Sequence, residues 1–283
     1  MNNKLNSSGF QFNDDGFSIT AAEPWFKVKV QLIQHYLHSF VANAASRADE
    51  IVFIDLFSGS GLYSLGHQKE VFAASSLASL QTDLPINKWI FCENDPEQAR
   101  ALKARVNRFS RSRNVLIVEE DQDQPELLTK LQGYVPRSKG SYKVATLCLV
   151  DPFSLELPFS SLISLSNALG CSFLIPFSFI INDRYNYEFY LGEQYPKLMR
   201  YLGGGVNRVE SIQRNFHFYK RVVNNFRNNM LVNGLTGSLS VHKLNSTLMD
   251  LPMFYMGYFS KQVSPKLIQA DIQAAQHIQF ELF

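Results

Sequence analysis

The sequence has no apolar run long enough to cross a bilayer. The longest, Cys171 to Ile181, falls short of the roughly 20 residues a spanning helix needs and contains a proline. Cysteine is scarce. Its 3 copies, Cys92, Cys148 and Cys171, each sit in an apolar run. They read as small buried hydrophobes in a reducing compartment, which excludes a disulfide frame and a cysteine-built metal site. Charge of one sign is lacking too. A formal net charge of +2 over 283 residues gives no global pull on nucleic acid, so such a contact needs a local patch. No G-K-[ST] follows a glycine loop, which excludes a P-loop. There is no internal repeat, no low-complexity tract and no secretory pattern at the polar N-terminus. These absences predict a cytoplasmic chain with no membrane association, long enough to bury a large core.

What is present centres on Ile51 to Gly66, I-V-F-I-D-L-F-S-G-S-G-L-Y-S-L-G. Ile51 to Ile54 read as a strand buried on both faces, ending on Asp55. Gly59 and Gly61 let the backbone turn sharply and approach a ligand closely. The residues after Gly61 are expected to open a helix whose first N–H groups face a polar ligand.

In chain order, residues 1 to about 20 are polar and expected to form a loose arm. An amphipathic helix begins at Pro24, with Trp25, Val28, Leu32, Tyr36, Leu37 and Phe40 on its apolar side. His35 and His38 share a face but no further ligand joins them, so they read as solvated. Strands follow at Lys88–Cys92, Val115–Val118, Val144–Val150 and Ser172–Phe177, alternating with helices at 73–81, 97–109, 125–132 and 160–169. The helix over 97–109 is expected to be exposed, with Arg100, Lys103, Arg105 and Arg108. Late strands are expected at 238–244 and 253–259, as an antiparallel edge pair, before a terminal helix over 265–278. The alternation predicts an α/β fold: a doubly wound, mostly parallel, Rossmann-like sheet. Residues 1–23 would be an arm, 24–283 one domain, and 183–235 a helical, aromatic-rich insertion.

Four strands end at or next to acids, Asp55, Glu93, Glu119 and Asp151. In such a sheet the ligand sits at the strands' carboxyl ends. A nicotinamide dinucleotide fits poorly. The third glycine position holds Ser64, and Glu93 lies well beyond the expected spacing of about 20 residues. S-adenosylmethionine fits better. Asp55 and the carbonyls of the loop of Gly59, Ser60 and Gly61 would meet its methionine ammonium, and Phe57 or Leu62 would cover the adenine or the methionine chain. Glu93, with Asn94 beside it, would take the ribose hydroxyls, and Asp121 the adenine amine. The alternative is that Glu93 and Asp121 only cap the helices that follow them. Asp151-Pro152-Phe153 stands where amino-methyltransferases carry an Asp/Asn-Pro-Pro-aromatic tetrad. There the acid and a proline carbonyl hold an exocyclic amine, and the ring stacks on an unpaired base. Only one proline is present here.

The ordered set W-F-K, F-I-D-L-F-S-G-S-G, F-C-E-N-D-P, L-V-D-P-F and F-Y-M-G-Y-F-S-K resembles the three-Cys-motif partner protein (TcmP) family over residues 24 to 278. The resemblance implies a fold similar to S-adenosylmethionine-dependent methyltransferases and a separate three-Cys-motif protein as partner. The family usually has Ala and Gly where Ser58 and Ser154 stand here.

Between Lys197 and Met230 there are seven Lys or Arg and one Glu. Arg208, Arg214, Lys220, Arg221 and Arg227, interleaved with Phe216, Phe218 and Tyr219, suit phosphate contacts and base stacking. The alternative is a helix with its aromatics packed inward and its charges solvated. Arg184 and Tyr185 follow the fifth strand and would line a substrate mouth. The sequence therefore predicts a methyltransferase acting on DNA or RNA at an exocyclic amine. The rival expectation is a catalytically inactive methyltransferase-like partner protein in a defence or RNA-processing assembly.

Overall fold

A computed structural model describes residues 12–65, 70–109, 113–121, 125–155, 157–178, 187–204, 215–244 and 253–280. In chain order its strands are β1 (Thr20–Ala22), β2 (Glu50–Asp55), β3 (Leu62–Leu65), β4 (Glu70–Ala73), β5 (Lys88–Cys92), β6 (Val115–Val118), β7 (Val144–Leu149), β8 (Ser172–Pro176), β9 (Thr236–Lys243) and β10 (Met253–Ser260). The helices are α1 (Trp25–Ala44), α2 (Ser75–Leu80), α3 (Pro96–Phe109), α4 (Pro125–Tyr134), α5 (Phe159–Leu169), α6 (Tyr187–Leu191), α7 (Tyr195–Leu202), α8 (Asn215–Val232) and α9 (Pro265–Phe280).

Seven strands form the main sheet, in the order β6-β5-β2-β7-β8-β10-β9. Pairings from β6 through β8 are all parallel, whereas β10 runs antiparallel to both β8 and β9. The expected antiparallel pair is thus present, with the later strand wedged inside the earlier one. Val52, Phe53 and Ile54 of β2 are fully buried, as are Ile90 and Phe91 of β5 and Leu147 and Cys148 of β7. Continuous apolar runs are what a parallel sheet covered by helices requires. Helix α1 packs against α2 and α9, while α4 meets α5, α5 meets α7 and α7 meets α8. The three cysteines are free and buried.

Three expectations fail. First, no helix opens after Gly61. Leu62–Leu65 instead form β3, paired in parallel with β1 and antiparallel with β4, in a separate three-stranded sheet. Leu-Tyr-Ser-Leu followed by Val71-Phe72 carries β-branched and aromatic residues that favour this pairing, and the next helix, α2, opens only at Ser75. Second, the described part of the N-terminal arm is not loose. Phe12 is buried and meets Phe109 edge-on at 5.3 Å, and β1 extends the small sheet. Third, Arg105 of α3 is 1% exposed. Its guanidinium takes both Asp15 oxygens, at 2.9 and 2.7 Å, and also donates to the carbonyls of Ser18 and Ser60. One side chain therefore fastens the N-terminal segment to the glycine loop.

Among the described residues no helix is long and apolar enough to cross a membrane. Nor does any group of three or more His, Cys, Asp or Glu stand ready to hold a metal ion.

Candidate cofactor and acceptor site

The sheet's order reverses beside β2, with β5 on one side and β7 on the other. Such a switch point is where an open α/β sheet leaves a crevice at its carboxyl edge. Asp55 ends β2, Glu93 directly follows β5 and Asp151 lies two residues past the end of β7, and all three are buried.

Asp55 turns the chain out of β2. Its Oδ1 accepts from the Phe57 amide at 3.1 Å, while Oδ2 is buried with no hydrogen-bond partner among the described residues. Burial raises the Asp55 pKa to about 8, opposed by the Phe57 amide bond and assisted by the negative charges of Asp151 and Glu93. A buried carboxylate oxygen without a donor is a rare and costly arrangement, and a cationic or hydrogen-bonding ligand relieves it.

The glycine loop is tied down on several sides. Ser58 donates its amide to the Cys92 carbonyl and its hydroxyl to the Asp55 carbonyl. Gly59, at φ 59°, donates its amide to Glu93 Oε2 at 2.8 Å. A Cβ there would sit in ordinary van der Waals contact, the nearest atom being Gln98 Oε1 at 3.6 Å. Gly61 differs. At φ 86°, a Cβ there would lie 2.9 Å from Leu77 and 3.0 Å from Leu102, so this glycine serves core packing. Ser60 is buried, with its hydroxyl on the Leu62 carbonyl.

Glu93 accepts the Gly59 amide on one oxygen and the Asp95 amide, at 2.9 Å, on the other. Burial raises its pKa, and these two amide bonds oppose the shift. Glu93 does not cap α3. That role falls to Asp95, whose Oδ1 accepts from the Gln98 amide at 2.8 Å. Asn94 and Asp121 are exposed. Glu119 pairs with Lys103 and Glu120 with Lys130.

Asp151 follows β7 and holds two partners. Lys29 Nζ lies 2.7 Å from Oδ2, and the Ser178 hydroxyl donates to Oδ1 at 3.2 Å. Pro152 is buried, whereas the Phe153 ring is 44% exposed. Lys197 of α7 donates to the Ser154 hydroxyl at 3.2 Å. Tyr63 is also part of this neighbourhood: burial, with the charges of Asp151 and Asp55, pushes its hydroxyl well above the usual tyrosine range.

Sequence reasoning missed Lys29. The apolar side of α1 runs through Trp25, Phe26, Lys29, Ile33, Tyr36 and Phe40, while Val28, expected inside, is 43% exposed. The signal was positional: Lys29 sits one helical turn from both Trp25 and Ile33, on the stripe itself.

The basic segment divides. Lys220 and Arg227 are exposed. Phe218 and Tyr219 are buried, so they are not free to stack on bases. Tyr219 instead donates to the Phe177 carbonyl and accepts from the Tyr255 amide, each at 2.8 Å, joining α8 to β8 and β10. Arg221 is half-buried, with its Nη1 buried and unpartnered. Arg184, Tyr185, Arg208 and Arg214 lie outside the described residues.

No protein-family model and no curated protein matches the chain. Among solved structures, protein LPL1258 from Legionella pneumophila aligns over 87% of this chain and 91% of its own, at 10% identity and a TM-score of 0.51. The METTL16 MTase domain aligns over 88% of this chain and 75% of its own, at 12% identity and a TM-score of 0.47. The small RNA methyltransferase HEN1 aligns over 88% of this chain and 28% of its own, at 11% identity and a TM-score of 0.44. The chain is similar in fold to LPL1258, and its own architecture is a Rossmann-like α/β one built on a mostly parallel seven-stranded sheet.

Proposed function

We propose that this chain is an S-adenosylmethionine-dependent methyltransferase acting on nucleic acid, at an exocyclic amine. One observation carries the reading. At the sheet's switch point a buried carboxylate oxygen with no partner, Asp55 Oδ2, stands beside a glycine loop that Glu93 also holds. These residues suit the cofactor. Asp55 offers an acceptor for its ammonium, Glu93 retains lone pairs for ribose hydroxyls, and Phe57, Gly59, Ser60 and Gly61 form the bend between them. Asn94 and Asp121 are the outer candidates for the ribose and adenine. Bound there, the sulfonium supplies an activated methyl group.

The acceptor side is Asp151-Pro152-Phe153. Asp151 and the Pro152 carbonyl would each accept an N–H bond from the amine, aiming its lone pair toward the cofactor side. Positioning of this kind accounts for much of such catalysis. Phe153 offers an exposed face on which an unpaired base can stack. Lys220 and Arg221, with Arg184, Tyr185 and Arg214, are the candidates for contacts to the nucleic-acid backbone.

The test is calorimetry with S-adenosylmethionine, followed by transfer of a labelled methyl group into total RNA and DNA with nucleoside analysis. Binding plus a methylated amine supports the proposal, and Asp151→Ala should then abolish transfer while leaving cofactor affinity nearly intact. No cofactor binding by a folded chain rejects it. Cofactor binding without transfer, together with co-purification of a three-Cys-motif protein, favours a partner role. The single proline after Asp151 is the feature that supports that second reading.

A further inference from the structure

A buried ammonium, that of Lys29, stands against Asp151. Lys29 is 2% exposed, its Nζ 2.7 Å from Asp151 Oδ2, 4.3 Å from the centre of the Phe26 ring and 5.5 Å from that of Trp25. Helix packing does not demand a lysine here, since the other buried residues of α1 are apolar, apart from Tyr36 and Ser39. A sealed ammonium is tolerated only when paired, and a hydrophobic replacement of such a pair is often neutral or stabilising.

The pair matters for what Asp151 can receive. Lys29 matches the Asp151 charge on one oxygen. Among the described residues the other accepts only a long bond from Ser178, and it keeps a lone pair for a further donor. The aromatic rings shield the cation from water, so its field reaches the acceptor position with little screening. An incoming ammonium therefore meets a like charge beside Asp151, whereas a neutral amine loses nothing. Phe153 supplies a flat exposed ring next to the same carboxylate, which suits an aromatic amine.

We propose that Lys29 is a specificity-determining residue that reserves the acceptor site for neutral aromatic amines, such as those of nucleobases, and turns away aliphatic ammonium groups such as lysine side chains. This rests on the reading that Asp151 receives the acceptor.

The experiment needs no turnover. Protein saturated with S-adenosylhomocysteine is titrated with cytidine, 9-methyladenine and n-butylammonium, with binding followed by saturation-transfer NMR. The wild type should bind an aromatic amine in preference to butylammonium. Lys29→Met should tighten butylammonium by roughly tenfold or more. The double variant Lys29→Met/Asp151→Asn, neutral again, should restore the original preference, which a merely structural lysine would not do. Equal binding of both probe classes by the wild type, or an unchanged preference in Lys29→Met, overturns the proposal. Should Lys29→Met fail to fold, Asp151→Asn carries the test. It leaves Lys29 unmatched and should weaken butylammonium further while retaining the aromatic amine; an unchanged preference overturns the proposal. If S-adenosylhomocysteine does not bind, the same titrations are run on the ligand-free protein. Absent methyl transfer with the probe preference intact rejects the methyltransferase reading and leaves the role of Lys29 standing.

Discussion

The Gly59 amide donates to Glu93 Oε2 at 2.8 Å, so the acid that follows β5 builds the loop that follows β2. With its other oxygen on the Asp95 amide, Glu93 has a structural task beside any ligand it holds. Glu93→Ala leaves two amides without their acceptor and should cost about 2 to 4 kcal/mol in urea unfolding. Glu93→Gln keeps one carbonyl acceptor. It should lose less stability while still weakening cofactor binding, as read by calorimetry.

Asp55 predicts an opposite pattern. Its folded pKa of about 8 lies above the ordinary unfolded value of about 3.9. The folded chain therefore binds this proton more tightly, and the stability so gained is complete below about pH 4. It declines as pH rises and is gone once pH passes the folded value. Asp55→Asn removes that loss. The variant should melt higher than wild type at pH 8, with the gap shrinking toward pH 5, and it should lose S-adenosylmethionine binding. Equal melting temperatures across that range would show that Asp55 is better solvated than its surroundings indicate.

The two loop glycines should respond unequally to alanine. Gly59→Ala meets only ordinary van der Waals neighbours, at 3.6 and 3.9 Å, and pays chiefly for a left-handed backbone, about 1 to 2 kcal/mol. Gly61→Ala adds contacts of 2.9 and 3.0 Å with Leu77 and Leu102, so it should cost a further 1 to 3 kcal/mol, roughly the penalty of overpacking a core. Chemical denaturation of the two variants side by side reads the difference.

Arg105→Ala should free the segment around Asp15 to Ser18. The expected readout is faster limited proteolysis there and a stability loss of about 3 kcal/mol, since buried pairs broken on one side are costly. The Arg105 guanidinium holds the Asp15 pKa below its usual range. This contribution is present above the unfolded value and is lost as pH falls through the folded one, so in wild type the same cleavage should accelerate only in acid.

Phe153→Ala removes a ring that is 44% exposed and should leave stability within about 0.5 kcal/mol. If the ring stacks on a base, affinity for single-stranded RNA or DNA should fall by about 1 to 3 kcal/mol, measured by fluorescence anisotropy.

Much of the sheet was legible because parallel strands announce themselves. Val52 to Ile54, Ile90 to Cys92 and Leu147 to Leu149 are unbroken apolar runs buried on both faces, and each leads to an acid. Groups fixed by distant partners were not legible. Arg105 shares a helix with Arg100, Lys103 and Arg108, and what buries it is Asp15, 90 residues away in sequence. Lys29 follows Lys27 and Val28, and nothing local separates the cation that pairs with the surface Glu70 from the one that pairs with Asp151. Likewise Leu62 to Leu65 resembles the opening of a helix until β1 and β4 supply its partners.

The placement of β10 between β8 and β9 bears on how the chain is made. During synthesis β8 emerges well before β10, whose neighbour it must become, so a growing chain presents β8 with one bare side for on the order of ten seconds at ordinary elongation rates. Until that gap is filled, Phe173, Leu174 and Ile175, all buried in the finished sheet, form an adhesive edge. Newborn chains should thus need chaperone shelter most acutely between completion of β8 and arrival of β10, and aggregation during expression should concentrate in that interval.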